Sequence, residues 1–245
     1  MRDNRSFELR GRDVHVRSVR LEASDTAVSQ LELSLAPDEL ERAARFRFDY
    51  LRHSFVVARG TLRALLGRYL LQPPADLQFE YGANGKPTVR GTTGIAFNVS
   101  HAGDIAAFAF TIGCELGIDL EPIRSIPEMG DVARRFFCSA EVEELASLPQ
   151  DQKDLGFYSC WTRGESFIKA RGDKLATMMD QLQVSLQPGA PPCFVQVPHE
   201  AGSASAWSLH DLDLAPGNAA ALAYRDLKRR IELFPLIGVE DLLIT

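Results

Sequence analysis

The amino-acid sequence predicts an α+β fold with two similar lobes related by a pseudo-twofold axis, each an antiparallel sheet packed with helices. The main observation is that one order of elements occurs twice: in both halves, runs with helical spacing precede short runs with the pattern of strands. A second observation is a dipeptide shared by the two long helical runs, Arg59-Gly60 and Arg163-Gly164. A connection with two prolines begins at Pro122. We therefore predict an N-terminal lobe over 1–121 and a C-terminal lobe over 122–245.

The first half is predicted to begin with an edge strand over 13–21, where apolar and polar residues alternate imperfectly. Two helices follow. Pro37 and its acidic neighbours mark the start of the first, which extends to Phe48. The second covers 51–71, where apolar residues recur at helical spacing. The predicted strands after it are 77–81, 88–90, 95–99, 105–112 and a strand that contains 117–121.

The second half repeats this order. Helices are predicted over 131–137, 140–145 and 151–171, and strands over 183–186, 193–197, 206–212 and 219–224. The tail from Ile231 is apolar enough for us to expect that it packs on the protein.

Composition excludes several classes of protein. The chain has 245 residues, of which 45% are hydrophobic, and this is enough to build cores in two lobes. A net charge of −6 argues against a nucleic-acid-binding protein, which needs a basic surface. No apolar run resembles a signal peptide or a membrane span, and the four cysteines lack zinc-ligand spacing. We expect a cytoplasmic monomer with reduced thiols that binds neither nucleic acid nor membrane.

Two carboxylates lie close together in the predicted strand Gly117-Ile118-Asp119-Leu120-Glu121. Side chains alternate along a strand, so Asp119 and Glu121 point to one face. A hard divalent cation such as magnesium would neutralise their repulsion, although a solvated strand face would also show this spacing.

The last predicted helix of the second half presents a related pattern. Trp161, Glu165 and Lys169 are spaced by four residues and share one face. In isolation this pattern describes a Glu-Lys ion pair on a solvated helix. Beside the two strand carboxylates, Glu165 would supply a third oxygen ligand and Lys169 a cation for phosphate.

Two further stretches offer groups for an anion. Ser100 and His101 are predicted to lie in a turn whose backbone amides and imidazole are free to meet a phosphate. Lys86 follows a glycine-containing turn. A structural histidine and a solvated lysine are the alternatives. A Ser/His hydrolase is disfavoured, because neighbouring residues of an extended chain point to opposite faces and no Gly-x-Ser-x-Gly motif is present.

Taken in order, these stretches resemble the motifs of the 4′-phosphopantetheinyl transferases, in the longer monomeric class that activates peptide and polyketide synthases. The residues that carry the resemblance are Gly85-Lys86-Pro87, Phe97 to Gly103, Gly117 to Glu121, Arg135-Phe136-Phe137 and Trp161 to Lys169.

The resemblance implies a reaction and the residues that serve it. Phosphopantetheine would be transferred from coenzyme A to a serine of an acyl or peptidyl carrier protein, with magnesium or manganese between the lobes and release of adenosine 3′,5′-bisphosphate. Asp119, Glu121 and Glu165 match the metal ligands, and Glu165 also matches the base. Lys169 matches a phosphate contact that would protonate the leaving group. Further residues match contacts to coenzyme A: Lys86, Ser100 and His101 at its phosphates, and Arg45, Arg52, Arg59 and Arg63 towards the nucleotide end.

One position departs from the family pattern. The residue before the helix glutamate is usually lysine, and here it is Gly164. Loss of that cation would weaken binding or slow the reaction. This leaves open a noncatalytic or attenuated homologue that binds coenzyme A or a carrier protein. A separate alternative is a magnesium-dependent nucleotide hydrolase, in which water replaces the carrier serine as acceptor. For docking of the carrier protein, the candidates are Arg134, Arg135, Phe136, Phe137 and the loop that precedes them.

Overall fold

A computed structural model describes residues 4–91, 94–174, 178–187 and 189–244. Its α-helices are α1 Asp25–Glu32, α2 Pro37–Ala44, α3 Asp49–Leu70, α4 Met129–Phe136, α5 Ser139–Ser147, α6 Lys153–Arg171 and α7 Val239–Ile244. Its strands are β1 Asp13–Arg20, β2 Phe79–Tyr81, β3 Pro87–Val89, β4 Ile95–Ala102, β5 Ile105–Ile112, β6 Leu116–Pro122, β7 Gln183–Val184, β8 Phe194–Gln196, β9 Ser208–Asp211, β10 Asn218–Tyr224, β11 Arg230–Leu233 and β12 Ile237–Gly238. The predicted α+β class with antiparallel sheets is confirmed.

The larger sheet has the strand order β11-β1-β5-β4, and β12 also pairs with β1. β1 is antiparallel to β5 and parallel to β11 and β12. The prediction that β1 forms an edge is therefore wrong. Its partners on one side come from residues 230–238, which no local pattern at β1 could indicate.

The second sheet has the order β6-β10-β9, with antiparallel pairing throughout. The two sheets and the helices stack as four layers, because apolar side chains form one cluster between the sheets and one on the outer face of each. Val16 and Leu120 belong to the cluster between the sheets, Leu65 to the cluster under α3, and Phe167 to the cluster under α6.

β4 and β6 lie side by side although they belong to different sheets. The amide of Ile118 donates to Asn98 Oδ1 at 2.9 Å, and the amide of Leu120 donates to Ser100 Oγ at 3.2 Å. Two side chains of β4 thus replace the backbone pairing that β6 lacks on this edge, which satisfies its buried amides.

The C-terminal segment packs on the N-terminal half. Val239 and Leu242 are buried in the cluster under α3, and Arg68 donates to the carbonyl of Leu242. The predicted docking of the tail is therefore confirmed. The division of the lobes at residue 121 stays a proposal. β6, most of which precedes that boundary, belongs to the second sheet, whereas residues 230–244, which follow it, pack with the first. Among the described residues, no helix is both long and apolar enough to cross a membrane.

Candidate active site

β6 and α6 bring the predicted carboxylates together. In β6, Ile118 and Leu120 face the cluster between the sheets, so Asp119 and Glu121 face α6. The helix lies directly on the strand at Gly117, where a Cβ atom would be 2.0 Å from the carbonyl oxygen of Ser166. Only glycine permits this approach. The predicted same-face placement of Asp119 and Glu121 is thus present in the structure.

α6 supplies Glu165 and Lys169 to the same place. One oxygen from each of Asp119, Glu121 and Glu165 can be chosen so that all three lie within 4.8 Å of one another. Lys169 Nζ is 2.5 Å from Asp119 Oδ1 and 3.7 Å from Glu165 Oε2. The juxtaposition that the sequence pattern required is therefore present, and the reading of Glu165 and Lys169 as a purely solvated ion pair does not hold.

Ser100 connects this group to β4. Its hydroxyl donates to Asp119 Oδ1 at 2.9 Å and accepts from Lys169 Nζ at 3.0 Å and from the amide of Leu120. One side chain therefore fixes the positions of a carboxylate, an ammonium group and a strand. Asn98, two residues earlier and on the same side of β4, has a matching bond to β6 that the sequence reasoning missed. The signal available was its period-two spacing from Ser100.

The carboxylates are electrostatically unbalanced without a further cation. The pKa of Glu165 is raised to about 7, first by burial and then by the negative charge of Asp119, against the opposing effect of Lys169. Burial, followed by Asp119, also raises the pKa of Glu121. A single ammonium group thus does not compensate three clustered carboxylates.

A divalent cation fits this residue set. The side chain of Asp119 is 1% exposed, and its Oδ2 atom is buried without a hydrogen-bond partner. Buried carboxylate oxygens normally have a partner, so Oδ2 has a free coordination position. Together with Glu121 and Glu165, it offers the oxygen ligands that magnesium and manganese prefer.

His101 lies beside this group, but in a different conformation from that predicted. Ser100 and His101 belong to β4 and pair with Ala107 and Ala106 of β5, so the turn is limited to Gly103 and Asp104. The prediction of a turn with free amides at Ser100 and His101 is therefore wrong. The imidazole is at the surface, and its pKa is lowered by partial desolvation and by the charge of Lys169.

Lys86 is held away from the three carboxylates. Its ammonium group donates to the backbone carbonyls of Leu116 at 2.9 Å and Ala170 at 2.6 Å. The expected contact between Lys86 and a coenzyme A phosphate stays a prediction, and in this arrangement the side chain has other partners.

The four helix arginines fall into two groups. Arg45 and Arg52 are exposed and form ion pairs with Glu41 and Glu32, each at 2.7 Å. Arg59 and Arg63 both bind Glu39, and Arg63 is fully buried and also donates to the carbonyls of Pro74 and Leu77. A nucleotide contact for Arg63 does not agree with this burial. Arg45 and Arg52 remain candidates.

Gly164 faces the interior of the C-terminal half. A Cβ atom there would lie 2.4 Å from Met179 Sδ and 2.8 Å from Met179 Cε. Met179 belongs to the cluster under α6. A side chain at residue 164 would therefore start among the atoms of Met179, on a face of α6 that is turned about 100° from that of Glu165. The expected effect of the missing lysine stays a prediction.

Comparison with known proteins agrees with the site. A family model described as the 4′-phosphopantetheinyl transferase superfamily matches residues 115–224, and one described as 4′-phosphopantetheinyl transferase, N-terminal, matches 22–112. The 4′-phosphopantetheinyl transferase HetI of Nostoc is 35% identical over 214 residues, 86% of each chain. The 4′-phosphopantetheinyl transferase Sfp of Bacillus subtilis is 29% identical over 62% of this chain and 66% of its own.

A human relative extends the likeness to eukaryotes. The L-aminoadipate-semialdehyde dehydrogenase-phosphopantetheinyl transferase of Homo sapiens is 32% identical, over 63% of this chain and 54% of its own. Because two family models together match most of the chain and the Nostoc relative matches 86% of it, this chain is an enzyme of the 4′-phosphopantetheinyl transferase family, in the longer class that includes Sfp.

Proposed function

We propose that this enzyme transfers 4′-phosphopantetheine from coenzyme A to a serine hydroxyl of an acyl or peptidyl carrier protein, in a magnesium-dependent reaction that releases adenosine 3′,5′-bisphosphate. The observation that carries the proposal is the group of Asp119, Glu121 and Glu165 beside the ammonium of Lys169. Manganese would also suit these oxygen ligands.

Each residue of this group has a proposed role. Asp119, Glu121 and Glu165 would hold the cation, which when bound neutralises negative charge on the pyrophosphate. Glu165 is the proposed acceptor of the serine proton, because its carboxylate is partly exposed and Lys169 Nζ comes no closer to its Oε2 atom than 3.7 Å. Lys169 would donate to a phosphate oxygen and supply a proton to the leaving group. Ser100 would keep Lys169 and Asp119 in place.

The carrier protein is proposed to meet the exposed side of α4. Arg134 and Arg135 are exposed there, and the ring of Phe136 is partly buried against Trp161, with 5.4 Å between ring centroids. Basic side chains suit an acidic partner. Phe137 is not available for docking, because it is 4% exposed and packs in the cluster under α6.

The alternative of a noncatalytic or attenuated homologue rested on Gly164, and Gly164 faces Met179 rather than the carboxylates. The alternative stays open, and the experiment below distinguishes it from transfer. The monomeric state and the cytoplasmic location stay predictions from the sequence.

Mass spectrometry of a carrier protein incubated with coenzyme A and magnesium tests the proposal. We expect the carrier to gain the mass of phosphopantetheine with the wild type and with Asp104→Asn, a change of an exposed carboxylate in the β4–β5 turn. Asp119→Asn should remove the gain while the protein still unfolds cooperatively. Cleavage of coenzyme A without carrier modification would indicate a hydrolase, and an unmodified carrier with intact coenzyme A would indicate a binding protein.

A further inference from the structure

The side chain of Lys86 joins three segments that are distant in the sequence. Lys86 lies at the end of the turn between β2 and β3, its ammonium group is 2.9 Å from the carbonyl oxygen of Leu116 in β6, and it is 2.6 Å from that of Ala170 in α6. β6 carries Asp119, and α6 carries Lys169 immediately before Ala170. Lys86 therefore contacts the backbone of both elements that build the active site.

The surroundings of Lys86 are shaped to this contact. Gly172 caps the C-terminal end of α6, and its φ of +71° is in the left-handed region that favours glycine. A Cβ atom at Gly172 would lie 3.3 Å from Lys86 Cδ and 3.4 Å from Lys86 Cβ, so the missing side chain leaves space for the lysine stem. In the same turn, Asn84 Nδ2 donates to the carbonyl of Gly172 at 2.9 Å. The turn between β2 and β3 thus covers the C-terminal end of α6.

The chemistry of a helix end explains why a lysine suits this place. The last carbonyl groups of a helix have no partner within the helix, and they form the negative end of its dipole. An ammonium group is a compact donor with three hydrogens, so it can bind two carbonyls from different elements at once. Burial disfavours the charged form of Lys86, and this lowers its pKa to about 8.

We infer that Lys86 is a positioning residue: by holding the carbonyls of Leu116 and Ala170 together, it fixes the end of α6 against β6 and so sets Lys169 relative to Asp119. The contact is continuous with the close approach at Gly117, where a Cβ atom would be 2.3 Å from the amide nitrogen of Ala170. This inference rests on the proposed transfer reaction. It differs from the role that the family resemblance implies, in which Lys86 binds a phosphate of coenzyme A.

The test compares Lys86→Met, which keeps the length of the side chain and removes its donors, with the wild type. Lys228→Met, in an exposed turn of the C-terminal half, is the matched control. Turnover is measured with a carrier protein, coenzyme A and magnesium, and the affinity for coenzyme A is measured by calorimetry without metal. For Lys86→Met we expect kcat to fall about ten- to a hundredfold, as a small misplacement of catalytic groups does, and coenzyme A affinity to stay within about twofold.

Two results would overturn the inference. Weaker coenzyme A binding with unchanged kcat would make Lys86 a phosphate ligand. Unchanged kcat and affinity, with a lower melting temperature, would make its role structural only. If the wild type itself does not modify the carrier, the proposed function fails instead.

A second variant decides the matter if Lys86→Met does not fold. Asn84→Ala removes a hydrogen bond between uncharged groups that joins the same turn to the same helix end. The side chain of Asn84 is exposed, so its removal leaves no cavity in the core. A lower kcat at unchanged coenzyme A affinity supports positioning by this turn. An unchanged kcat contradicts it.

Discussion

Replacing Glu165 by glutamine is expected to change how the stability of the metal-free protein depends on pH. The folded protein holds the Glu165 proton up to about pH 7, whereas an unfolded glutamate loses it near its ordinary value of 4.5. The raised pKa of Glu165 thus adds to the free energy of unfolding. This contribution is fully present below pH 4.5 and is lost as pH rises through 7. Glutamine at this position cannot contribute it.

The magnitude follows from the two pKa values. Between pH 8 and pH 6, the free energy of unfolding of the wild type should rise by about 1.3 kcal/mol relative to that of Glu165→Gln. His15, His101 and His210 have lowered pKa values and destabilise the folded state as pH falls, but they do so in both proteins. Their contributions cancel in the difference.

Urea unfolding in the presence of a chelator at pH 6, 7 and 8 measures this difference. Glu41→Gln is the control, because that side chain is 69% exposed on α2. For Glu41→Gln, the difference in free energy of unfolding from the wild type should not show the change between pH 6 and pH 8 that is expected for Glu165→Gln. Parallel curves for the wild type and Glu165→Gln would show that Glu165 does not hold a proton at neutral pH, and the account of three uncompensated carboxylates would be refuted.

Three further substitutions test the packing around the site. Gly117→Ala should lower the free energy of unfolding by at least about 3 kcal/mol, because its Cβ atom would meet backbone atoms of α6; Gly82→Ala, whose Cβ atom would be 3.7 Å from its nearest neighbour, should melt close to the wild type. Ser100→Ala should cost about 1 to 3 kcal/mol in chemical unfolding, since it leaves a buried amide of β6 unpaired, and a neutral result would contradict that bond. Gly164→Lys should lower the melting temperature by displacing Met179 and should not tighten coenzyme A binding in calorimetry; tighter binding would contradict the observed direction of this position.

Those parts of the site that depend on local periodicity could be predicted from the sequence. The alternation of β6 placed Asp119 and Glu121 on one face, and the four-residue spacing of α6 did the same for Glu165 and Lys169. Both periods are properties of the backbone, so they hold whatever packs against the element. That β6 and α6 lie together followed only from the family resemblance.

The features that the sequence missed are contacts between distant segments. Lys86 binds carbonyls 30 and 84 residues away, and a backbone carbonyl has no sequence signature. The position of β1 inside the sheet depends on strands more than 200 residues later. The effect of Gly164 was inferred by analogy with the family's lysine, and the contact of this position with Met179 has no local signal in the sequence.

The return of the C-terminal segment to the first sheet has a consequence for synthesis on the ribosome. β5 leaves the ribosome more than 100 residues before β11 does. During that interval, the edge of β1 that pairs with β11 and β12 has no partner strand. Chains emerge at about 5 to 20 residues per second, which makes the wait several seconds or longer. A strand edge whose backbone groups are unpaired is a site for wrong pairing. A nascent chain stalled before residue 230 should therefore bind chaperones or aggregate, and should become protease-resistant only when residues 230–244 have emerged.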